Sequence, residues 1–290
     1  MTVGIVGVGL IGGSVGLALR KPGTTIVGFD PQPEAIHTAI SRQCIDREGS
    51  LVDVAQCEYV FLACPPSLAI ENLTQIFALK AAETIVTDCC STKSEIVEWA
   101  KKNKVKQFVP GHPMAGHEKS GAAFSSSWLF RHARWIICPL AITDKASVRA
   151  IEALVKEMGA TPLRMTAENH DRQVAILSHL PHVLAATLVR MGKDLESAEI
   201  AGGSWKDMTR VGGVDPDLWT QILLGNSAQV EQCLDDAAAD LELFRRAIKE
   251  RDESALRALL QEAVDAKRIH EPAAPARAAN RSIAKTKRRK

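Results

Sequence analysis

The stretch VGIVGVGLIG, residues 3–12, carries three glycines in the spacing GxGxxG. Its first part is an apolar, β-branched run that predicts a buried strand, and helical sequence follows the last glycine. Glycines with this spacing allow a tight turn and the close approach of a pyrophosphate, whose charge then lies at the positive N-terminus of the helix. The stretch therefore predicts a dinucleotide-binding unit. The residues expected at the cofactor are Gly7, Gly9, Leu10, Ile11 and Gly12.

Asp30 lies 18 residues after Gly12, at the end of the next predicted strand. A carboxylate at this place can accept hydrogen bonds from the ribose hydroxyls and would repel the 2′-phosphate of NADP. Pro31 and Gln32 follow, and neither side chain can pair with that phosphate. The sequence predicts NAD as the cofactor. The alternative is a glycine turn of another α/β fold, with Asp30 as a helix cap.

The first half of the chain alternates strand-like and helical segments. The strand-like runs are continuously apolar, which is typical of parallel strands covered on both faces. We predict strands at VGIVGV (3–8), TTIVGFD (24–30), YVFLACP (59–65), TIVTDC (84–89), QFVPG (107–111), RWIICPL (134–140) and TPLRMT (161–166), and helices at 12–20, 33–43, 67–79, 92–103 and 145–158. This order predicts a doubly wound α/β domain over residues 1–166.

The second half lacks strand signals. Residues 167–269 are rich in alanine and leucine with helical periodicity, so we predict an all-helical second domain there. Residues 270–290 form a basic tail. After position 270 it contains seven Lys/Arg and one acidic residue. The remaining 29 basic and 33 acidic residues give a mildly acidic body, which implies no general nucleic-acid surface. We predict that the tail is disordered.

Targeting and redox signals point to the cytoplasm. Seven cysteines are scattered without CxxC or zinc spacing, which predicts free thiols and no metal site. The N-terminus MTVGIVGVG lacks the basic segment and cleavage site of a signal peptide. No apolar run is expected to reach the roughly 18 residues that span a bilayer. We therefore expect a cytoplasmic protein without a membrane partner.

Four further stretches carry a family resemblance: DCCSTKSE (88–95), GHPMAGHEKSG (111–121), SHLPH (178–182) and KDMTRVGGVDPDLW (206–219). In this order they resemble the motifs of the prephenate/arogenate (cyclohexadienyl) dehydrogenase family of tyrosine biosynthesis, from residue 1 to about 265. The resemblance implies NAD-dependent oxidative decarboxylation of prephenate to 4-hydroxyphenylpyruvate, or of arogenate to tyrosine. It also implies a homodimer formed through the helical domain.

The resemblance assigns catalytic roles to His112 and Ser91. His112 would accept the proton of the ring hydroxyl, held by the strand end and Pro113 at the carboxyl edge of the sheet, where open α/β folds bind ligands. Ser91 would hydrogen-bond the same hydroxyl and His112. A second role for Ser91 is helix N-capping, in competition with Thr92, which is predicted to form a capping box with Glu95.

The resemblance also places His179 and His182 in the substrate pocket. Their spacing puts them on one helix face, and the alternatives are a core-facing pair or a metal site. Arg210 is the candidate to bind a substrate carboxylate through its planar fork, with a surface salt bridge as the alternative. The remaining pocket candidates are Lys206 and Trp219 in the pocket wall and Glu118, which pairs with Arg210 or His182 and gates access, or is a solvated loop acid.

Two rival functions remain open from the sequence alone. A β-hydroxyacid dehydrogenase shares the same two-domain plan but uses a lysine in its helical domain and does not require HPMAG or SHLPH. A redox-sensing NAD-binding module would bind the dinucleotide without turnover. Between the two ring substrates, the HEKSG context (117–121) resembles that of prephenate-using relatives, which implies prephenate.

Overall fold

The computed structural model describes residues 1–116, 119–194 and 199–270. The chain divides into two compact units, Met1–Leu234 and a second unit that begins at Asp235. The role predicted for Glu118 and the disorder predicted for the tail after residue 270 lie outside the described residues.

A six-stranded parallel sheet forms the centre of the first unit, with the strand order β3-β2-β1-β4-β5-β6. The strands are β1 (Thr2–Val6), β2 (Thr25–Phe29), β3 (Arg47–Glu48), β4 (Tyr59–Leu62), β5 (Ile85–Asp88) and β6 (Phe108–Val109), and the helices between them are α1 (Leu10–Leu19), α2 (Pro33–Ser41), α3 (Leu51–Ala55), α4 (Pro66–Leu79) and α5 (Ser94–Lys102). The order reverses beside β1, so the doubly wound α/β fold is confirmed. The short β3 and α3 were not predicted, because β3 has only two residues, both exposed and charged.

Both faces of the sheet are covered. In β1, the side chains of Val3 and Ile5 belong to one buried cluster, whereas Val6 belongs to a second cluster. Because successive side chains of a strand point to opposite faces, a strand buried on both sides must be apolar at every position. This explains the continuous hydrophobicity of the strand-like runs.

A second, three-stranded sheet continues from the parallel one. Strand β7 (Gly111–Pro113) pairs antiparallel with β8 (Arg134–Ile137), which pairs parallel with β9 (Thr161–Arg164). The run QFVPG was predicted as one strand, but it divides at Pro110 between β6 and β7. Pro110 has no N–H to donate to a ladder, while its carbonyl accepts the Cys138 amide at 2.9 Å. The chain therefore changes sheets just before His112.

The helical half begins directly after β9, which follows α6 (Lys145–Glu157). Its elements are α7 (Ala167–Val174), a π turn (Ala175–His179), α8 (Leu180–Met191), a 3-10 turn (Gly192–Asp194), α9 (Gly203–Thr209), α10 (Pro216–Gly225) and α11 (Ser227–Glu250), and α12 (Glu253–His270) belongs to the second unit. The all-helical character of this half is confirmed.

The continuous helix Ala167–Asp194 is long and apolar enough to cross a membrane by length and composition, with a mean hydropathy of 1.4 in its best window. Polar residues such as Ser178, His179 and His182 interrupt its apolar sequence. Core helices of globular proteins pass the same test, so it is weak evidence for a span. This helix carries the buried polar side chains of His170 and Asp171.

Candidate active site

The glycine turn between β1 and α1 is shaped by close backbone contacts. Gly7 has a φ of +88°, and a Cβ there would lie 2.7 Å from the Ala63 carbonyl oxygen. A Cβ on Gly12 would lie 2.0 Å from the carbonyl oxygen of Gly7, so the turn and the first helical turn pack without side chains between them. At Gly9, by contrast, a Cβ would meet nothing within 4 Å. The turn is open at the position where a cofactor would approach.

The first turn of α1 offers free backbone donors. Within this described helix, no side chain caps the N-terminus at Gly9 and no acidic residue lies in the first turn. The amides of Leu10 and Ile11 have no partner within the helix, since the first four N–H groups of any helix lack one. These groups and the helix dipole fit a pyrophosphate.

Asp30 connects the glycine turn to the end of β2. One carboxylate oxygen accepts the Val8 amide and the other accepts the Gln32 amide, each at 3.0 Å. The alternative role as a cap of α2 is not what the structure shows, since Gln32 is the N-cap of that helix. Each carboxylate oxygen has a second lone pair, so Asp30 can still accept a ribose hydroxyl.

His112 lies in β7, opposite Ile136 of β8, immediately after the carboxyl end of the parallel sheet. Its backbone is fixed through the preceding residue, because the Gly111 amide donates to the Asp88 carboxylate at 3.0 Å. Asp88 forms a fully buried ion pair with Lys93 and also accepts the Cys90 amide. Although burial opposes the charge of Lys93, the Asp88 carboxylate raises the pKa of this ammonium. Asp88, held by this ion pair, fixes the start of β7, which carries His112.

A chain of buried side chains continues from the His112 ring. His112 Nδ1 lies 2.8 Å from Nε2 of His170, and His170 Nδ1 lies 2.7 Å from the Asp171 carboxylate. His170 is 0% exposed and Asp171 1% exposed. We call the three residues His112, His170 and Asp171 the imidazole chain.

The Asp171 carboxylate also caps the N-terminus of α5. The helix begins at Ser94 with Lys93 as N-cap, and Asp171 accepts the amides of Lys93 and Ser94 at 2.9 and 2.8 Å, together with the Ser94 hydroxyl. The predicted capping box of Thr92 and Glu95 was therefore wrong. The cap comes from another part of the chain, which local sequence spacing does not reveal.

The protonation states of the imidazole chain follow from these contacts. Desolvation lowers the pKa of His112 well below 6.5, and the neighbouring His170, Lys93 and His179 lower it further. Burial alone would raise the pKa of Asp171, but hydrogen bonds from His170, Ser94 and the Lys93 amide hold it below its usual value. At neutral pH the site therefore holds a neutral His112 and an ionised Asp171.

Trp219 of α10 brings the two histidines of SHLPH together. The His182 ring stacks on the indole at 3.6 Å, and His179 contacts it edge-on at 6.2 Å. His182 Nδ1 donates to the Ser178 carbonyl, and His179 Nδ1 accepts from Asn226 at 3.3 Å. Desolvation lowers the pKa of His179 to about 4 and also lowers that of His182. Both rings are neutral at neutral pH and present Nε2 as their remaining polar atom.

The other predicted residues lie around this cluster. Arg210 follows α9 and its charge contributes to the lowered pKa of His182, so the two side chains face a common region. Lys206 is exposed on α9. Ser91 lies partly buried in the bend between β5 and α5, while the hydrogen-bond partner of His112 Nδ1 is His170.

Sequence reasoning did not find His170, Asp171, Lys93 or Asn226 as site residues. The quartet ENHD (168–171) contained a signal, because adjacent histidine and aspartate residues precede an apolar helical run. Lys93 gave no such signal, since a lysine is almost never fully buried unless it is paired.

A parallel sheet with an open glycine turn, an acid after β2 and a neutral histidine at the carboxyl edge, followed by a helical half, defines a two-domain dinucleotide-dependent dehydrogenase. Residues 15–163 match the family model for the nucleotide-binding domain of prephenate dehydrogenase, and residues 166–262 match the model for its dimerization domain. The chain belongs to the prephenate dehydrogenase family.

Individual relatives agree with this family. A prephenate dehydrogenase of Bacillus subtilis is 33% identical over 263 residues, which are 87% of this chain and 71% of that protein. The structure of prephenate dehydrogenase from A. aeolicus, in complex with hydroxyphenyl propionate and NAD+, has a TM-score of 0.85 and 31% identity, covering 93% of this chain and 97% of that one. Synechocystis arogenate dehydrogenase has a TM-score of 0.79 and 28% identity, covering 93% and 100%.

Proposed function

We propose that this chain is an NAD-dependent prephenate dehydrogenase, which converts prephenate to 4-hydroxyphenylpyruvate and carbon dioxide in tyrosine biosynthesis. The observation that carries the proposal is the neutral His112, which contacts His170 at the same carboxyl edge of the sheet as the open glycine turn. Membership of the family supports it.

The substrate needs only a base, an orienting pocket and a hydride acceptor. Prephenate carries a ring hydroxyl para to a quaternary carbon that holds a carboxylate. Bound NAD supplies the hydride acceptor, held by the glycine turn, the first turn of α1 and Asp30. His112 accepts the proton of the hydroxyl group while hydride leaves the ring carbon that bears this hydroxyl. The resulting dienone is a vinylogous β-keto acid, which loses carbon dioxide and becomes aromatic.

We assign the remaining residues to orientation of the substrate. Arg210 is the candidate to bind a substrate carboxylate, because its guanidinium pairs with carboxylates through two hydrogen bonds. His179, whose Nδ1 accepts from Asn226, has Nε2–H left to donate to a substrate oxygen. Trp219 supports the rings of both histidines. Ser91, Lys206 and Glu118 remain predicted contributors.

Arogenate is the second candidate substrate, because an arogenate dehydrogenase is among the similar solved structures. The two substrates differ only in a side-chain keto or amino group. The test is NADH formation, followed by its absorbance, with prephenate, arogenate and a simple β-hydroxyacid. We expect the highest kcat/KM with prephenate. A higher value with arogenate would reassign the substrate, and activity only with the hydroxyacid would refute the proposal.

We also infer a cytoplasmic homodimer. Residues 166–262 match a dimerization domain, and the described helical run there exposes Ile176, Leu177 and Met191 at 55%, 70% and 73%. Exposed apolar side chains at this density are typical of a subunit contact. The seven cysteines are scattered without CxxC spacing, which fits a reducing compartment. Light scattering tests the assembly, and a monomer at micromolar concentration would refute it.

A further inference from the structure

The imidazole chain contains two residues that the proposed reaction does not use directly. His170 and Asp171 lie behind His112, and neither is accessible to a substrate because both are at most 1% exposed. Buried polar groups of this kind are costly unless each is fully hydrogen-bonded. Each polar atom of both side chains therefore needs a hydrogen-bond partner.

The Asp171 carboxylate sets the direction of each hydrogen bond in the imidazole chain. An ionised carboxylate only accepts hydrogen bonds, so Nδ1 of His170 must carry the proton that it donates to Asp171. A neutral imidazole has one N–H, which leaves Nε2 of His170 as an acceptor. His112 Nδ1 therefore donates to it across 2.8 Å. Nε2 of His112 is left with the free lone pair.

The carboxylate end is held rigidly. The oxygens of Asp171 also accept the amides of Lys93 and Ser94, and its backbone carbonyl accepts the Asn226 side-chain amide at 2.8 Å. Asp171 cannot rotate without breaking the start of α5. The orientation of the carboxylate, and with it the order of donors and acceptors, is fixed by the fold.

We propose that His170 and Asp171 are positioning residues that hold His112 in the Nδ1–H tautomer, so that Nε2 is the proton-accepting nitrogen. The Asp171 carboxylate also stabilises the imidazolium that forms when His112 accepts the hydroxyl proton. That proton stays on His112 Nε2, and no proton moves along the chain. The titratable groups that face His112 are His170, Lys93 and His179, and the charge of Lys93 is offset by its ion pair with Asp88.

This inference rests on the proposed function only for the source of the proton, so its first test requires no turnover. Nitrogen-15 NMR of the full-length, histidine-labelled protein at pH 7.5 distinguishes protonated from unprotonated ring nitrogens, and His112→Asn assigns the His112 signals. We expect a protonated Nδ1 and an unprotonated Nε2 on both His112 and His170. A protonated Nε2 on His112 would overturn the proposal, whatever the substrate.

The second test reverses the order of hydrogen-bond donors and acceptors in the imidazole chain. In Asp171→Asn, the side-chain amide can donate to His170 Nδ1, which turns both rings to the Nε2–H tautomer and removes the lone pair from His112 Nε2. We expect kcat to fall ~10²-fold or more, with KM for prephenate and Kd for NAD changed less than about threefold. The acid limb of the kcat/KM profile should move to lower pH, because the imidazolium loses its carboxylate.

Asp144→Asn is the matched control. Asp144 caps α6 by accepting the Ser147 amide at 3.1 Å, so it is a capping carboxylate outside the imidazole chain. We expect its kcat to stay within about twofold of the wild type, since a helix cap contributes only to stability. An equal loss of kcat in both variants would reduce Asp171 to a structural cap.

Two variants of His170 test the same proposal if Asp171→Asn does not fold. Glutamine can place an amide oxygen near the position of His170 Nε2, where it accepts from His112, whereas alanine cannot. We expect His170→Gln to retain roughly tenfold more kcat than His170→Ala at equal KM. Equal kcat in the two variants would refute the positioning role of His170.

Discussion

The glycine turn and the imidazole chain lie at the same edge of the sheet, but backbone groups form the first and side chains form the second. The turn binds through backbone amides and is defined by missing side chains, as the clash of a Cβ on Gly12 with Gly7 shows. The imidazole chain consists of side chains hydrogen-bonded to one another, and its geometry depends on buried partners far apart in sequence. Substitutions in the turn should therefore affect cofactor binding, and substitutions in the chain should affect the chemical step.

The largest expected effect separates the two regions. His112→Asn removes the proposed base and leaves the turn intact, so kcat should fall by ~10² or more while Kd for NAD stays nearly constant. Steady-state kinetics and NAD fluorescence titration measure the two quantities. Near-normal turnover would mean that His112 is only a structural residue of β7.

The next effect concerns the substrate carboxylate, which neither region binds. Arg210→Ala should raise KM for prephenate about tenfold or more, with a smaller change in kcat, because a charged hydrogen-bonded pair is lost in both the ground and transition states. Lys206→Ala on the same helical segment is the comparison variant, because Lys206 is the next candidate to bind the carboxylate. A normal KM in Arg210→Ala together with a raised KM in Lys206→Ala would transfer the role to Lys206.

The cofactor preference tests the turn. Because the Asp30 carboxylate should repel a 2′-phosphate, kcat/KM should be roughly tenfold or more higher with NAD than with NADP. Asp30→Asn should reduce this ratio but keep an acceptor for the Val8 amide. A wild-type preference for NADP would show that Asp30 serves only to fix the turn.

The pH dependence of stability tests the imidazoles. In the unfolded state, His179 takes up a proton as the pH falls through about 6.5, whereas in the folded state it remains neutral until about pH 4. The contribution of this pKa shift to the stability of the fold is therefore complete above pH 6.5. It is lost as the pH falls from 6.5 to 4. The loss amounts to ~3 kcal/mol for His179, and His112 adds to it in the same direction. Urea unfolding at pH 7.5 and 4.5 measures it. His179→Asn should flatten the dependence, whereas His37→Gln, at an exposed position, should not.

The smallest expected effect is that of removing the tail. A chain truncated after Ile269 should stay dimeric, melt at the same temperature and keep full activity, because residues 271–290 contain one large apolar residue, Ile283, and so offer little apolar surface for burial. A monomer in light scattering would make the tail part of the interface.

The two regions also differ in how far the sequence predicts them. The glycine turn and Asp30 are specified by local spacing, so the strand, the turn and the acid were all predicted within a 30-residue window. His112 was predicted from its motif, but its partner His170 lies 58 residues away. Partners of this kind follow from tertiary packing, which periodicity and local spacing do not encode. The same reason explains why the capping box of Thr92 and Glu95 was wrong, since a distant carboxylate competes successfully for the amides of α5.

The π turn at Ala175–His179 makes the number of residues in its helix as important as their identity. A π turn holds one residue more than an α turn, and one residue corresponds to about 100° of rotation around the helix axis. Deletion of a single residue there would turn His182 away from Trp219 while Asp171 kept its place. The segment between His170 and His182 can therefore change in composition during evolution more easily than in length, and insertions and deletions should be rarer there than substitutions.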